Sequence, residues 1–107
     1  MKTKAPKHNT ILETTRTKAI LKFINGLPEF MAVKRHQAGY NCKGDPDITG
    51  CGPRGRRLEI EVKQPGAVPT RLQEERLRVW GSYGAVTGVV HDVDDARALL
   101  IAHGLLQ

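Results

Sequence analysis

The sequence predicts a mixed α/β domain, in which a small mixed β-sheet is flanked by helices in the order α-β-β-β-α-β-α. Three observations support this fold class. The chain has 107 residues, which suits one small domain. Segments with helix-start signals alternate with short apolar runs typical of strands. A helix separates the last two strands, which favours a parallel crossover added to an antiparallel hairpin.

The first half of the chain is predicted to hold a tail, a helix and two strands. Residues 1–8 are basic and lack an apolar stretch, which predicts a flexible tail. The helix is predicted to begin at Thr10, because Thr10-Ile-Leu-Glu13 fits a capping box, and to end at Asn25-Gly26 with a left-handed glycine cap. The two strands are predicted over residues 29–36 and 46–49, with a loop over residues 39–44.

The second half of the chain contains the clearest strand, over residues 57–63. Leu58, Ile60 and Val62 alternate there with charged residues and therefore face the opposite side of the strand. A second helix is predicted from Thr70, which opens a capping-box pattern with Gln73. The remaining predicted elements are a turn over residues 50–55, a loop over 64–69, a strand over 86–91 and a final helix that Asp92 or Asp94 caps and Gly104 ends.

Composition restricts the class of protein. Seventeen Lys and Arg residues against 11 Asp and Glu residues give a net charge of +6, which favours polyanionic partners, nucleic acid first. No apolar run reaches the ~18–20 residues of a membrane span. Without signal-peptide or membrane features, we expect an intracellular, cytoplasmic protein. Cys42 and Cys51 fit neither a disulfide framework nor a known zinc pattern.

Two carboxylates and a lysine form the candidate site. Asp47 follows a proline on a short strand, and Glu61 and Lys63 project from one face of the next strand. A tight hairpin would bring Asp47 beside Glu61. Carboxylates that close favour a cation between them, and Mg²⁺ or Mn²⁺ prefers oxygen ligands. The alternative is a solvated strand face without a chemical role.

Three motifs carry a family resemblance: Gly44-Asp-Pro-Asp-Ile-Thr-Gly50, Leu58-Glu-Ile-Glu-Val-Lys63 and Pro69-Thr-Arg-Leu-Gln73. Their order, with 14 residues from Asp47 to Glu61, is more specific than any motif alone. The chain resembles the PD-(D/E)xK nuclease superfamily, and within it the small stand-alone form of the virus-type replication–repair nuclease (VRR-NUC) family. This resemblance implies a restriction-endonuclease-like core and one nuclease domain over residues 9–107.

The resemblance also implies the residues of an active site. Metal ligation would fall to Glu13, Asp47, Glu61 and the backbone carbonyl of Val62, and the catalytic group would comprise Asp47, Glu61, Lys63 and Gln73. For Glu13 and Gln73 the alternative is a helix-capping role. Asp45 is the alternative to Asp47.

Arginines are the candidates for contact with DNA phosphates, which would position the substrate. Arg54, Arg56 and Arg57 crowd the glycine-rich hairpin, and Arg71 lies on the second helix. The alternative for such residues is a solvated charged face. Trp80, at helical spacing, indicates a core or dimer-interface residue more than a base-stacking platform.

The function implied by the resemblance is a Mg²⁺- or Mn²⁺-dependent DNA endonuclease. Its substrate would be branched DNA, such as a four-way (Holliday) junction, in recombination, repair or phage replication in a bacterial or phage-infected cell. The resemblance implies a homodimer; we expect no membrane partner and no organic cofactor. The alternatives are a non-catalytic DNA-binding module and a nuclease subunit that depends on a partner for targeting.

Overall fold

The computed structural model describes residues 4–36 and 43–107, with the backbone alone for residues 4–12. Helices and strands follow one another in the predicted order, which confirms the mixed α/β fold class. No helix in these stretches is long and apolar enough to cross a membrane. The elements are α1 (Lys4–Asn25), β1 (Met31–Lys34), β2 (Ile48–Cys51), β3 (Arg57–Val62), α2 (Arg71–Ser82), β4 (Val86–Val90) and α3 (Val93–Ala102).

The four strands form one sheet in the order β1-β2-β3-β4. The first three strands are antiparallel, and β4 pairs with β3 in parallel, as the helix between them predicts. Helices α1 and α3 cover one face of the sheet, and Ile20, Ile60 and Leu100 belong to the hydrophobic core that they share. Helix α2 lies on the other face, since Gly81 approaches Thr87 while the neighbouring Gly88 approaches Leu99 of α3.

Helix α1 begins at Lys4, so the predicted start at Thr10 is wrong. Residues 4–8, which the sequence predicts to be a flexible tail, are helical. Pro6 is compatible with this start, because proline is tolerated in the first turn of a helix. The capping pattern at Thr10 was therefore misleading, because a helix that is already propagating has no need of it.

The end of α1 falls at Asn25, as predicted, but without a left-handed glycine. The amide of Gly26 donates to the carbonyls of Lys22 and Phe23, at 3.1 and 3.2 Å, and its φ is not positive. Gly104 does adopt a positive φ after α3, at 75°. The predicted glycine termination is thus confirmed at Gly104 and wrong at Gly26.

The first two strands differ from their predicted bounds. β1 begins at Met31, because Glu29 has a φ of 69°, which is outside the strand region. β2 begins two residues after Pro46 and continues through Gly50 and Cys51, so the predicted turn begins later and contains a 3₁₀ turn over Pro53–Gly55. The predicted loop over residues 39–44 lies mostly outside the described residues.

The free edge of β1 is covered by one side chain from the end of α1. The carboxamide of Asn25 donates to the carbonyl of Ala32 at 2.9 Å and accepts from its N–H at 2.8 Å. An edge strand otherwise leaves such groups without a partner from the sheet. Asn25 therefore takes the place of a neighbouring strand at the middle of β1.

We predict that Gly50→Ala strongly destabilises the fold. A Cβ atom there would overlap the carbonyl oxygen of Met31 and lie 2.6 Å from Cα of Ala32, which is backbone and cannot rotate away. We expect a loss of about 2–4 kcal/mol in urea unfolding. Gly26→Ala is the control, since its Cβ would meet only ordinary contacts at 3.4 Å or more; equal stability of the two variants would contradict the prediction.

Candidate functional site

The candidate site lies where β2 begins and β3 ends. Ile48 pairs with Ile60, and one further step of this register places Asp47 opposite Glu61. Oδ2 of Asp47 accepts a hydrogen bond of 3.0 Å from the N–H of Val62. The hairpin thus brings the two carboxylates together, as the strand pattern predicts, and Val62 orients one of them.

Glu61 is buried, which excludes the alternative of a solvated strand face for this residue. Only 2% of its surface is exposed, because β3 is covered on both sides. Its Oε2 lies 3.7 Å from Nζ of Lys63, whose side chain is itself 15% exposed. Its Oε1 is buried and has no hydrogen-bond partner among the residues that the structure describes. A carboxylate oxygen in that position is costly unless something else binds it.

The surroundings of Glu61 favour its protonated form. Burial is the main cause, and the charge of Asp47 is the next; together they raise the pKa of Glu61 to about 7, against the opposing effect of Lys63. Glu13 on α1 raises the pKa further. Two other carboxylates, those of Asp47 and Glu13, therefore disfavour the negative charge of Glu61.

The donor set of this site fits a hard divalent cation. Asp47 and Glu61 offer carboxylate oxygens, which Mg²⁺ and Mn²⁺ prefer, and Oε1 of Glu61 accepts no hydrogen bond from the described part of the chain. Among the described residues, no three His, Cys, Asp or Glu side chains are arranged as a complete metal cluster. Mg²⁺ sites in proteins often use one or two carboxylates, with water and substrate phosphate in the other places.

A second buried carboxylate, Glu59, was not assigned a role from the sequence. Its side chain is fully buried and accepts hydrogen bonds from Arg35 at 2.8 and 3.2 Å, from Nε of Arg57 at 2.8 Å and from Thr49 at 2.6 Å. The alternation along β3 already placed Glu59 on the face of Glu61. The arginine partners depend on the fold, so this cluster was not visible in the sequence.

Two of the four predicted DNA-binding arginines contact other parts of the fold, and three of the four are exposed. Arg57 bonds Glu59 and stacks on the ring of Trp80, with 4.6 Å between its Cζ and the ring centroid. Nε of Arg56 donates to the carbonyl of Gly84 at 2.9 Å. These two therefore have contacts within the fold. The exposed members of the set are Arg54, Arg57 and Arg71; contact of all four with DNA stays a prediction.

Asp45 serves the packing of α2. Its Oδ1 accepts from Nε of Arg76 at 2.7 Å and from Nε1 of Trp80 at 3.1 Å. Although burial opposes the shift, these hydrogen bonds hold the pKa of Asp45 below its usual value. The geometry therefore favours Asp47 over Asp45 as the metal ligand. It also gives Trp80 a hydrogen bond within the fold, although Trp80 is only partly buried and does not belong to the hydrophobic core.

Gln73 forms the predicted capping box. Oγ1 of Thr70 accepts from the N–H of Gln73 at 3.1 Å, and Oε1 of Gln73 accepts from the N–H of Thr70 at 2.9 Å. The capping alternative is thus confirmed for Gln73, whose catalytic role stays a prediction. For Glu13 the capping alternative is wrong, because α1 begins well before Thr10.

We predict that Glu61→Gln stabilises the metal-free protein in a pH-dependent way. The pKa of Glu61 is about 7 in the fold, whereas its ordinary value is 4.5. The favourable contribution of Glu61 to the free energy of unfolding is therefore complete below pH 4.5 and is lost as the pH rises through 7. The stability of Glu61→Gln relative to the wild type should therefore increase with pH, to a difference of at most about 3 kcal/mol. Urea unfolding in EDTA between these pH values measures it; a difference that does not vary with pH would contradict the prediction.

Known structures share this fold. A structure described as "VRR_NUC domain" matches with a TM-score of 0.67 and 24% identity, over 86% of this chain and 96% of its own. A "VRR_NUC domain protein" matches with a TM-score of 0.67 and 15% identity, over 88% and 87%. No protein-family model and no curated protein matches the chain. At these identities the likeness shows a shared fold.

Proposed function

We propose that this chain is a member of the VRR-NUC family and hydrolyses DNA phosphodiester bonds with Mg²⁺ or Mn²⁺. The observation that carries the proposal is the buried Glu61, whose Oε1 lacks a partner, beside Asp47 and Lys63. The shared fold supports it, because the solved structures of this fold carry the same domain description.

Each residue of the site has a role in this proposal. Asp47 and Glu61 would bind the ion, with Glu13 and the carbonyl of Val62 as further ligands. The bound ion would lower the pKa of a water molecule and neutralise charge on the scissile phosphate. Lys63 would orient that water as its oxygen attacks phosphorus. The bond from phosphorus to the 3′-oxygen breaks and that oxygen takes up a proton, which leaves 5′-phosphate and 3′-hydroxyl ends.

We propose branched DNA as the substrate and a homodimer as the active form. A two-fold dimer would present two sites to the two strands of a four-way junction. The net charge of +6 supports a polyanionic substrate, and we propose an intracellular location to go with it. Arg54 and Arg71 are exposed and suited to phosphate contact.

Cleavage of labelled DNA tests the proposal. A four-way junction and a linear duplex of matched sequence are incubated with the protein in Mg²⁺, Mn²⁺ or EDTA, while calorimetry measures Mn²⁺ binding. We expect metal-dependent cuts with a preference for the junction. Tight DNA binding without cuts in any metal would overturn the nuclease and favour a binding module; equal cutting of both substrates would overturn the branched-DNA preference alone.

Gln73 and Thr70 provide a matched pair for separating capping from catalysis. We expect Thr70→Ala to lower stability by about 1 kcal/mol, because it removes a helix cap, and to leave the cleavage rate unchanged. Gln73→Ala should lower the cleavage rate as well, by roughly 10-fold. Both variants are compared by urea unfolding and by cleavage at saturating metal. Equal rates would leave Gln73 as a cap only.

A further inference from the structure

The backbone of Lys63 is held on both sides by the end of β4. Its N–H donates to the carbonyl of Val90 at 3.0 Å, and its carbonyl lies 2.9 Å from Nδ1 of His91. Because a carbonyl only accepts, this contact requires the proton to be on Nδ1. Lys63 is the first residue after β3, where the strand pairing with β4 ends. Its carbonyl contacts the ring of His91 there, and a substitution that removes the ring nitrogen would remove this hydrogen bond.

His91 is itself fixed by two helices. Its N–H donates to Oδ2 of Asp95 on α3 at 3.0 Å, and its carbonyl accepts from Nη1 of Arg16 on α1 at 2.7 Å. Arg16 lies three residues after Glu13 on that helix, and residues at this spacing share a face. The backbone of His91 is therefore held where α1, α3 and the ends of β3 and β4 meet, and this places its ring beside the carbonyl of Lys63.

We propose that His91, held by Arg16, is a positioning residue for DNA hydrolysis and acts through the backbone of Lys63. This inference rests on the proposed function of Lys63. The ammonium of Lys63 ends a flexible four-carbon side chain, yet it lies 3.7 Å from Oε2 of Glu61. Its placement depends on a fixed Cα, and a displacement of ~1 Å can cost about 100-fold in rate. No histidine spacing along the chain indicates a site at His91, so its proposed role depends on the fold.

Two substitutions at His91 separate positioning from simple stability. His91→Leu removes the donor, whereas the side-chain N–H of His91→Asn can occupy the place of Nδ1–H. We expect His91→Leu to lower kcat about 10–100-fold, with the KM for DNA and the Kd for Mn²⁺ unchanged, and His91→Asn to restore most of the rate. His103→Leu is the control, because it removes a similar contact away from the site. Nδ1 of His103, just after the end of α3, lies 3.1 Å from the carbonyl oxygen of Leu99.

The outcomes distinguish this inference from the proposed function. Wild-type kcat in His91→Leu, or an equal loss in the Leu and Asn variants, would overturn the positioning role alone. Nitrogen NMR of the neutral ring gives a readout without DNA: a proton on Nδ1 supports the contact, and a proton on Nε2 overturns it. Absence of cleavage by the wild-type protein would overturn the nuclease and, with it, the role of His91 in hydrolysis.

Discussion

Glu61→Gln is expected to reduce metal-dependent cleavage at least ~100-fold, the largest effect on activity of any substitution considered. Glutamine keeps the shape of Glu61 but offers a neutral ligand in place of a carboxylate. Because Oε1 has no other partner and burial already disfavours the charge, the fold should not suffer. Loss of activity should therefore accompany unchanged or greater stability.

Three measurements test this expectation together: the cleavage rate on a four-way junction, the calorimetric Kd for Mn²⁺ and the urea midpoint. Glu75→Gln is the matched control, since Glu75 is exposed and forms an ion pair with the exposed Arg78 on the same helix. Lys63→Met should lose activity but retain Mn²⁺ binding. Wild-type cleavage by Glu61→Gln would contradict the assignment of Glu61 as a metal ligand.

Glu59→Gln is expected to cost about 3–5 kcal/mol of stability, the largest effect on the fold. The carboxylate is fully buried between Arg35 and Arg57. Removing its charge leaves the Arg35 guanidinium, with 14% of its side chain exposed, without a counter-ion. Urea unfolding at neutral pH measures the loss, and the exposed Glu75→Gln should show no measurable change in midpoint.

The double variant Glu59→Leu/Arg35→Met distinguishes a broken ion pair from a badly filled space. Replacing both partners removes the unpaired charge, so the double variant should be more stable than Glu59→Leu alone. If the stability losses of the two single variants add up to that of the double variant, the two side chains contribute to stability independently. A Glu59→Gln protein as stable as the wild type would contradict the buried pair itself.

The residues that the sequence identified were those whose role shows in local spacing. The alternation along β3 and the proline before Asp47 predicted that Glu61 and Asp47 meet across a hairpin, and they do. Thr70 and Gln73 predicted a capping box for the same reason. In each case, a regular strand or helix period fixes which side chains are neighbours.

The features that the sequence did not reveal depend on distant parts of the chain. Glu59 meets Arg35 only once β1, β2 and β3 have their register, 24 positions apart along the chain. His91 reaches Lys63 across 28 positions. The start of α1 was missed for another reason: two local signals competed, and helix propagation from Lys4 prevailed over the cap at Thr10.

The contact between Asn25 and Ala32 limits how this protein can assemble. A bare outer strand is a template on which further chains add, and repetition of that step builds fibres. Here one carboxamide from α1 already occupies the middle of that strand. A continuous sheet formed by pairing the β1 strands of two copies would have to displace it. The proposed homodimer is therefore expected to form without pairing of the two β1 edges.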